Sequence, residues 1–533
     1  MRKIIIGYLF APLFLSAGCG GFFSGGKPDY VDVAGGRIEG VRTPDGISAF
    51  KGIPYAASPT GELRWKAPQS VEPWDGVRKA VKFAPAPVQD KFVPMLFGVP
   101  LKHSEDCLYL NVWAPARSID SIETPRPLPV MVWIHGGAFE WGSASMPLYD
   151  GSHLAEKGVV VVSVGYRLGV FGFFAHPELT AEGGKGNFGL QDQIAALEWV
   201  RENIAAFGGD PRCVTIFGES AGAVSVNILA ASPQAKGLFH RVIAQSGALF
   251  TPPRQTPEGS FDSPPLSIIE KQGEEFLRRL NVRSIEEARK LSAKKVHKAG
   301  GVWTANYDGD LLPADLYGLY KDGRFNDTPV LTGINSDECR KLVEFMGGKG
   351  ITPEEFERKA REALGEYADK LLALYPHKTK QQALRASQDI FNDAAFAWKC
   401  LAWQRMQATY GKSDVFGYCF DHRTPPDNPL GPTHGEEIAY VFGTLTGKRP
   451  ENAKMSALMS GYWVNFAKTG NPNGEGLPEW KPFTMDSEQV LRLTAEPEMI
   501  PVQNADRLKL WDEYFAWKRK QIADDNPCIP LPQ

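Results

Sequence analysis

The stretch "VTIFGESAGAVSVNILAAS", residues 214–232, decides the fold of this chain. An apolar, β-branched run ends at Phe217, and a run compatible with an α-helix begins at Ala221. Residues 218–222 between the two runs read GESAG, so Ser220 lies at a turn from a strand into a helix. Such a turn lifts the serine hydroxyl above the edge of a sheet, and side chains in place of its glycines would collide with neighbouring backbone. The pattern predicts that Ser220 is a nucleophile.

Strands and helices alternate around this turn, which predicts an α/β fold with a central, mostly parallel sheet. Near-continuous apolar runs indicate strands that are buried on both faces, and "LQDQIAALEWVRENIAAFG" at 190–208 has the spacing of a helix. The apolar runs begin at Pro129, Gly158, Cys213, Arg241, Pro329 and Asp414. Two helix-rich stretches, at about 263–300 and 353–411, are predicted to be insertions that cover one end of the sheet. We expect one folded domain over 30–520, followed by a loose tail at 521–533.

The composition is that of a globular protein with a large core. The chain has 533 residues, 43% of them hydrophobic, and its formal net charge is −3. A charge this close to zero gives no electrostatic footprint for nucleic acid. We therefore expect a small-molecule partner rather than nucleic acid.

The first 19 residues predict export. Arg2 and Lys3 precede an apolar run that is too short to span a bilayer, and small residues lead to Cys19, so 1–18 has the pattern of a signal peptide. The "SAGC" ending resembles the lipobox of bacterial lipoproteins, which implies acylation of Cys19 and membrane attachment on the exported side. Residues 19–29 are Gly-rich and are predicted to be a flexible tether. Plain secretion, into the periplasm or beyond, is the alternative.

Six further cysteines follow Cys19, and none forms a CxxC pair. Structural zinc is therefore not predicted. Disulfides are chemically open to an exported chain, but the spacing leaves their pairing undecided.

A serine nucleophile needs donors for the oxyanion, a base and an acid. The stretch "WIHGGAFEWGS" at 133–143 follows a predicted strand and offers flexible backbone at Gly136, Gly137 and Ala138, so it is a candidate oxyanion loop. A serine at such a strand-to-helix turn is typically followed along the chain first by the acid and then by the histidine. The adjacent carboxylates of Asp337 and Glu338 are candidates for the acid, and spacing alone does not separate them.

Three histidines follow these carboxylates. They are His377, within a helical insertion, His422, at the end of a predicted strand, and His434, directly before "GEEIAYVFG". Position along the chain leaves His422 as a competitor of His434 for the base.

Several motifs together resemble the type-B carboxylesterase and cholinesterase family of the α/β-hydrolase fold, from about residue 30 to about 515. They are "FKGIPYA" at 50–56, "SEDCLYLNVWAP" at 104–115, "HGGAF" at 135–139, "YRLGVFGF" at 166–173, "FGESAGA" at 217–223, "GINSDEC" at 333–339, "HGEEIAYVFG" at 434–443 and "WVNFAKTGNPN" at 463–473. The resemblance implies that Ser220 is the nucleophile, Glu338 the acid and His434 the base. It implies oxyanion donors on the backbone N–H groups of Gly137, Ala138 and Ala221.

The function that this resemblance implies is two-step hydrolysis of a small carboxylic ester through an acyl-enzyme, without a metal or organic cofactor. A lipase that acts on long-chain lipid esters would use the same residues. A non-catalytic, cholinesterase-like binding protein is the alternative from another class, although such proteins typically lose part of the triad.

Three departures from the family pattern stand out. No cysteine lies between Cys19 and Cys107, so the usual bridge from the "SEDC" cysteine cannot form. Cys339 occupies a position where glycine is usual. No tryptophan lies between Trp74 and Cys107 to bind a quaternary ammonium, which makes choline esters poor candidates. Arg64 and Glu105 match a family salt bridge, and we expect both to belong to the scaffold.

Overall fold

The computed structural model describes residues 26–90, 101–120, 126–256, 262–344, 350–426, 428–445 and 449–525. The predicted signal peptide, Cys19 and most of the predicted tether lie outside the described residues. The tether ends earlier than predicted, because Lys27 begins a strand whose Asp29 is buried against Arg42 of the next strand, with an N–O distance of 3.0 Å. The predicted tail also begins too early, because the last helix continues to Asp525.

In the described residues, thirteen strands form one sheet. Their order is β1-β2-β3-β5-β7-β6-β8-β9-β10-β11-β12-β13, with β4 paired to β2. The strands are β1 Lys27–Val33, β2 Gly36–Arg42, β3 Ile47–Pro54, β4 Val77–Lys79, β5 Tyr109–Pro115, β6 Leu128–Ile134, β7 Val160–Val164, β8 Gly209–Glu219, β9 Arg241–Gln245, β10 Val330–Asn335, β11 Val415–Phe420, β12 Gln489–Leu493 and β13 Glu498–Pro501.

The centre of the sheet is parallel, and its flanks are antiparallel. From β7 through β6, β8, β9, β10 and β11 to β12, every neighbouring pair runs in the same direction. All five residues of β7 are buried, as expected where helices cover both faces of a parallel sheet. The predicted mostly parallel sheet is confirmed, and each of the six predicted strand runs contains a strand.

Helices cover the two faces and one end of the sheet. They are α1 Ala116–Asp120, α2 Ser152–Glu156, α3 Gly169–Phe173, α4 Pro177–Ala181, α5 Phe188–Asn203, α6 Ala221–Ala231, α7 Leu266–Leu280, α8 Ile285–Arg289, α9 Ala293–Lys298, α10 Leu316–Lys321, α11 Cys339–Val343, α12 Pro353–Leu364, α13 Ala368–Leu372, α14 Lys380–Asn392, α15 Trp398–Tyr410, α16 Ile438–Phe442, α17 Pro450–Thr469 and α18 Ala505–Asp525. The two predicted insertions correspond to α7–α9 and α12–α15. Among the described helices, none combines the length and apolarity needed to cross a bilayer.

Two buried ion pairs fix the scaffold. Arg64 binds Glu105 through two hydrogen bonds of 2.7 and 2.6 Å, and its remaining terminal nitrogen donates to backbone carbonyls that follow α8 or lie at its end. Arg167 likewise binds Asp192 of α5 through bonds of 2.8 and 2.7 Å, with both side chains almost fully buried. The scaffold role expected of Arg64 and Glu105 agrees with this geometry.

The described cysteines are unbridged. Four of the five, Cys107, Cys339, Cys400 and Cys419, are buried, and Cys213 is partly exposed. Cys339, in place of the usual glycine, is the first residue of α11, and its φ is not positive. A side chain is therefore tolerated there.

The parallel centre brings the predicted site residues to one edge of the sheet. The candidate oxyanion loop follows β6, Ser220 follows β8, Glu338 lies three residues after β10, and His434 lies in the segment that follows β11. Carboxyl ends of neighbouring parallel strands share an edge, and ligands of open α/β sheets bind there.

Candidate active site

Ser220 occupies a strained turn between β8 and α6. Its φ is 57° and its ψ is −122°, a conformation that L-residues rarely adopt. Its backbone N–H donates to the carbonyl of Gln245 at 2.9 Å, which holds the turn against β9. A Cβ on Gly218 would lie 2.6 Å from the backbone of Gly222 and 2.7 Å from the Ile134 carbonyl oxygen. The turn thus requires the glycine at this position, as the sequence predicts.

The predicted oxyanion loop packs directly against this turn. A Cβ built on Gly136 would lie 3.1 Å from the Cβ of Ser220. Gly137 and Ala138 have φ values of 115° and 54°, so the loop turns sharply after β6. Among the described residues, no backbone carbonyl accepts from the N–H groups of Gly137 or Ala138, and the N–H of Ala221 opens helix α6. These three donors are available to an oxyanion.

Glu338 and His434 form a buried carboxylate–imidazole pair. Oε2 of Glu338 lies 2.6 Å from Nδ1 of His434, while Oε1 accepts the backbone N–H of Asn335 at 2.7 Å. The Glu338 side chain is fully buried, and the ring of Phe396 packs on the imidazole with centroids 4.7 Å apart. The carboxylate therefore fixes the orientation of the ring.

The other acid and the other histidines serve elsewhere. The carboxylate of Asp337 pairs with Arg340 at 2.8 Å and with Arg423 at 2.9 Å. His422 lies 3.2 Å from the side-chain oxygen of Asn452, and His377 hydrogen-bonds to a backbone carbonyl. Of the sequence candidates, Glu338 and His434 are the acid and the histidine that the structure brings together.

Sequence reasoning missed two further carboxylates beside His434. Oε1 of Glu219, the residue before the serine, lies 3.1 Å from Nε2 of the ring. Glu437 is fully buried and accepts from Gln245 at 3.0 Å and from Asn335 at 2.6 Å. Both glutamates stand in the motifs quoted above, but their position in the motif gives no sign that their side chains turn toward the histidine.

The cluster of His434, Glu219, Glu338 and Glu437 has more carboxylates than bases. The pKa values of His434, Glu219 and Glu437 are all raised. Burial lowers the pKa of His434, but the negative charges of Glu219 and Glu338 outweigh that effect and raise it to about 10. Burial raises the pKa of Glu219 to about 8 and that of Glu437 to about 7, and neighbouring carboxylates add to both shifts. A proton bound to Glu219 removes one negative charge beside His434 and so favours the neutral imidazole.

Ser220 opens into a cleft. Much of its wall is small or apolar, including Ala138, Phe139, Val224, Leu249 and Phe396. Ser220 lines this cleft, and its hydroxyl makes no hydrogen bond with any of the described residues. Catalytic hydrogen bonds are often long or absent before substrate binds, and the 3.1 Å contact of Nε2 is made with Glu219 in this structure.

The sheet topology and the strained serine at the end of β8 define an α/β-hydrolase. The structure resembles that of a PNB esterase with a TM-score of 0.78 and 33% sequence identity, covering 91% of this chain and 99% of that one.

The comparison with protein families gives a narrower answer. The model of the carboxylesterase family matches residues 27–511. Liver carboxylesterase of Sus scrofa is 34% identical, with 94% of this chain and 95% of that protein covered. Cocaine esterase of Homo sapiens is 35% identical, with coverage of 90% and 89%. The chain belongs to the carboxylesterase family and is a carboxylic ester hydrolase, as the sequence motifs imply.

Proposed function

We propose that the protein hydrolyses small carboxylic esters through an acyl-enzyme on Ser220. The observation that carries the proposal is the strained serine turn, which opens into the same cleft as the oxyanion loop and lies beside the Glu338–His434 pair. In the first step the Ser220 hydroxyl attacks the ester carbonyl while Nε2 of His434 takes its proton. The alcohol leaves with that proton.

The second step reverses the roles. Water replaces the alcohol, gives a proton to His434 and attacks the acyl carbon, and His434 then returns that proton to the Ser220 oxygen as the acid leaves. Glu338 holds the imidazole through Nδ1 and stabilises its positive form without becoming protonated.

The negative oxygen formed in both steps is bound by backbone N–H groups. We assign these donors to Gly137, Ala138 and Ala221, because their loop and helix end meet at Ser220. Loss of one such donor typically costs roughly 10² to 10³ in turnover.

Labelling with a fluorophosphonate, followed by peptide mass spectrometry, tests the proposal. This reagent phosphonylates an activated serine, so we expect a single adduct on Ser220 in the folded protein and none after heat denaturation. An adduct at another residue, or hydrolysis of esters by a protein in which Ser220 stays unlabelled, would refute the assignment. A panel of soluble and emulsified esters of increasing acyl length separates esterase from lipase activity.

We also propose that the enzyme is exported and anchored through an acylated Cys19. Support comes from the signal-peptide pattern of 1–18 and the "SAGC" ending. Mass spectrometry of the mature N-terminus checks this proposal, and a mature chain that begins elsewhere or carries no acyl group would contradict the anchor.

A further inference from the structure

The active-site cleft contains a buried ion pair that the proposed mechanism does not use. Nζ of Lys399 lies 3.3 Å from Oδ1 of Asp262, and both residues line the cleft into which Ser220 opens. The Lys399 side chain is only 3% exposed, whereas that of Asp262 is 32% exposed. The acidic member of the pair is thus the one that a ligand can touch.

The two oxygens of Asp262 have different surroundings. Oδ1 accepts the hydroxyl of Thr251 at 2.6 Å as well as the Lys399 ammonium. Oδ2 receives no hydrogen bond from any described residue. Burial raises the pKa of Asp262, but Lys399 and Thr251 outweigh it and lower the pKa, so the group is ionised at neutral pH. It is a fixed acceptor, and its second oxygen is hydrogen-bonded by none of the described residues.

A second unused polar atom lies in the same cleft. Ser246 is fully buried, and its hydroxyl has no hydrogen-bond partner among the described residues, although the residue lines the cleft. An unpaired buried hydroxyl costs free energy, and a ligand that supplies a partner recovers it. Two independent groups therefore point to a hydrogen-bonding ligand.

The pair is hard to explain as a stabilising element. Replacing a buried ion pair with apolar residues is often neutral or stabilising, so an enzyme for saturated acyl chains would do better with an apolar wall. Within the pair, the positive charge of Lys399 offsets the negative charge of Asp262. A neutral donor group fits this surface best.

We propose that Asp262, held by Lys399, determines specificity by accepting a hydrogen bond from a hydroxyl group on the substrate. This inference rests on the proposed function, because it concerns the cleft in which Ser220 would react. The preferred substrates are then esters that carry a free hydroxyl on the acyl or the alcohol part. Esters with a methyl group in place of that hydroxyl are poorer substrates, because they leave Asp262 desolvated and unpaired.

Matched ester pairs test the inference. For the alcohol part, the hydroxyethyl ester of butanoic acid is compared with the propyl ester. For the acyl part, the methyl ester of a six-carbon acid with a terminal hydroxyl is compared with that of the unsubstituted seven-carbon acid. Each pair exchanges a hydroxyl for a methyl group, and the measured quantity is the ratio of the two kcat/KM values.

The variant that removes the acceptor is Asp262→Leu combined with Lys399→Met, which removes both charges of the ion pair together. We expect the ratio to fall about tenfold or more relative to the unmodified enzyme in at least one pair, because a hydrogen bond to a charged group is lost. The pair that responds identifies the half of the ester that reaches Asp262. A control with the same residue types, Lys185→Met with Asp310→Leu, removes a Lys–Asp ion pair outside the cleft lining, and its ratios should stay unchanged.

If the double variant does not fold, the milder variant Asp262→Asn tests the same role of Asp262. It turns a charged acceptor into a neutral one, so we expect a smaller fall in the same direction. Ratios that stay within twofold in both pairs, a control that falls equally, or a preference for an aminoethyl over a hydroxyethyl ester would overturn the inference.

The two proposals fail in distinguishable ways. Unchanged ratios together with normal labelling of Ser220 would refute the role of Asp262 alone. Ester hydrolysis without labelling of Ser220 would refute the proposed mechanism, and with it this inference.

Discussion

Two clusters of charged residues in this enzyme differ in their balance of positive and negative groups. Arg167 and Asp192 have one charge of each sign, joined by two short hydrogen bonds in a site that is 3% and 0% exposed. Around His434, one imidazole lies among three buried carboxylates, those of Glu219, Glu338 and Glu437.

This difference matches the roles of the two clusters: the Arg167–Asp192 pair belongs to the scaffold, and we propose that the carboxylates around His434 act in catalysis. In the balanced pair each charge is offset by its partner, and the pair positions elements of the scaffold. Burial, together with the neighbouring negative charges, raises the pKa of Glu219 to about 8 and that of Glu437 to about 7, so these carboxylates exchange protons near neutral pH. We therefore expect substitutions in the first cluster to change stability and substitutions in the second to change activity.

The largest effect is expected from Ser220→Ala. Because the nucleophile is lost, kcat for a soluble ester should fall by roughly 10⁴ to 10⁶, while the melting temperature should change little. Initial-rate kinetics and calorimetry check both parts. A variant with near-normal hydrolysis would show that another group attacks the ester.

The next largest effect is expected from Glu338→Gln. The neutral side chain no longer fixes the tautomer of His434 or stabilises its positive form, so kcat should fall by about 10⁴. Asp337→Asn is the matched control, since the neighbouring carboxylate binds arginines instead. Equal losses in both variants, per folded molecule, would contradict the assignment of the acid.

A substitution in the Arg167–Asp192 pair should lower the stability of the protein. Asp192→Ala leaves Arg167 buried without its partner, and we expect the free energy of unfolding to fall by about 3 to 5 kcal/mol. Chemical denaturation measures this loss. The exposed pair of Lys290 and Glu286 offers the control, because water screens this pair and Glu286→Ala should change the free energy of unfolding far less. If Asp192→Ala is as stable as the unmodified enzyme, the scaffold role of the Arg167–Asp192 pair is contradicted.

The smallest effect is expected from Glu219→Gln, in the pH profile. His434 must be neutral to accept the serine proton, and the charge of Glu219 helps to raise the pKa of the imidazole. Removing that charge lowers the pKa, so the acidic limb of kcat/KM should move to lower pH. Glu436→Gln is the control, because Glu436 bonds to Lys341 and Thr433. An acidic limb that stays in place, or moves to higher pH, would contradict the coupling.

The sequence predicts the parts of the site that depend on local backbone. The turn at Ser220 follows from a strand, two glycines and a helix in succession, and the oxyanion loop follows from the glycines after β6. The family motifs add the choice of Glu338 over Asp337, which spacing does not provide.

Contacts between distant segments are not predicted in this way. Glu219 meets His434 only because β8 and the segment after β11 end at the same edge of the sheet, 215 positions apart in sequence by residue number. Lys399 lies in α15 of the second insertion and Asp262 lies just before the first insertion, and neither belongs to a motif. The periodicity of the sequence does not predict contacts between such distant segments, so the polar wall of the cleft is found only in the folded structure.

Acid-quenched mass spectrometry during turnover of a nitrophenyl ester tests the central claim most directly. If Ser220 carries an acyl group between the two steps, nitrophenol should appear in a rapid burst, and the peptide containing Ser220 should gain the mass of one acyl group. The gain should be absent from Ser220→Ala. Turnover without a burst and without an adduct on that peptide would contradict the account.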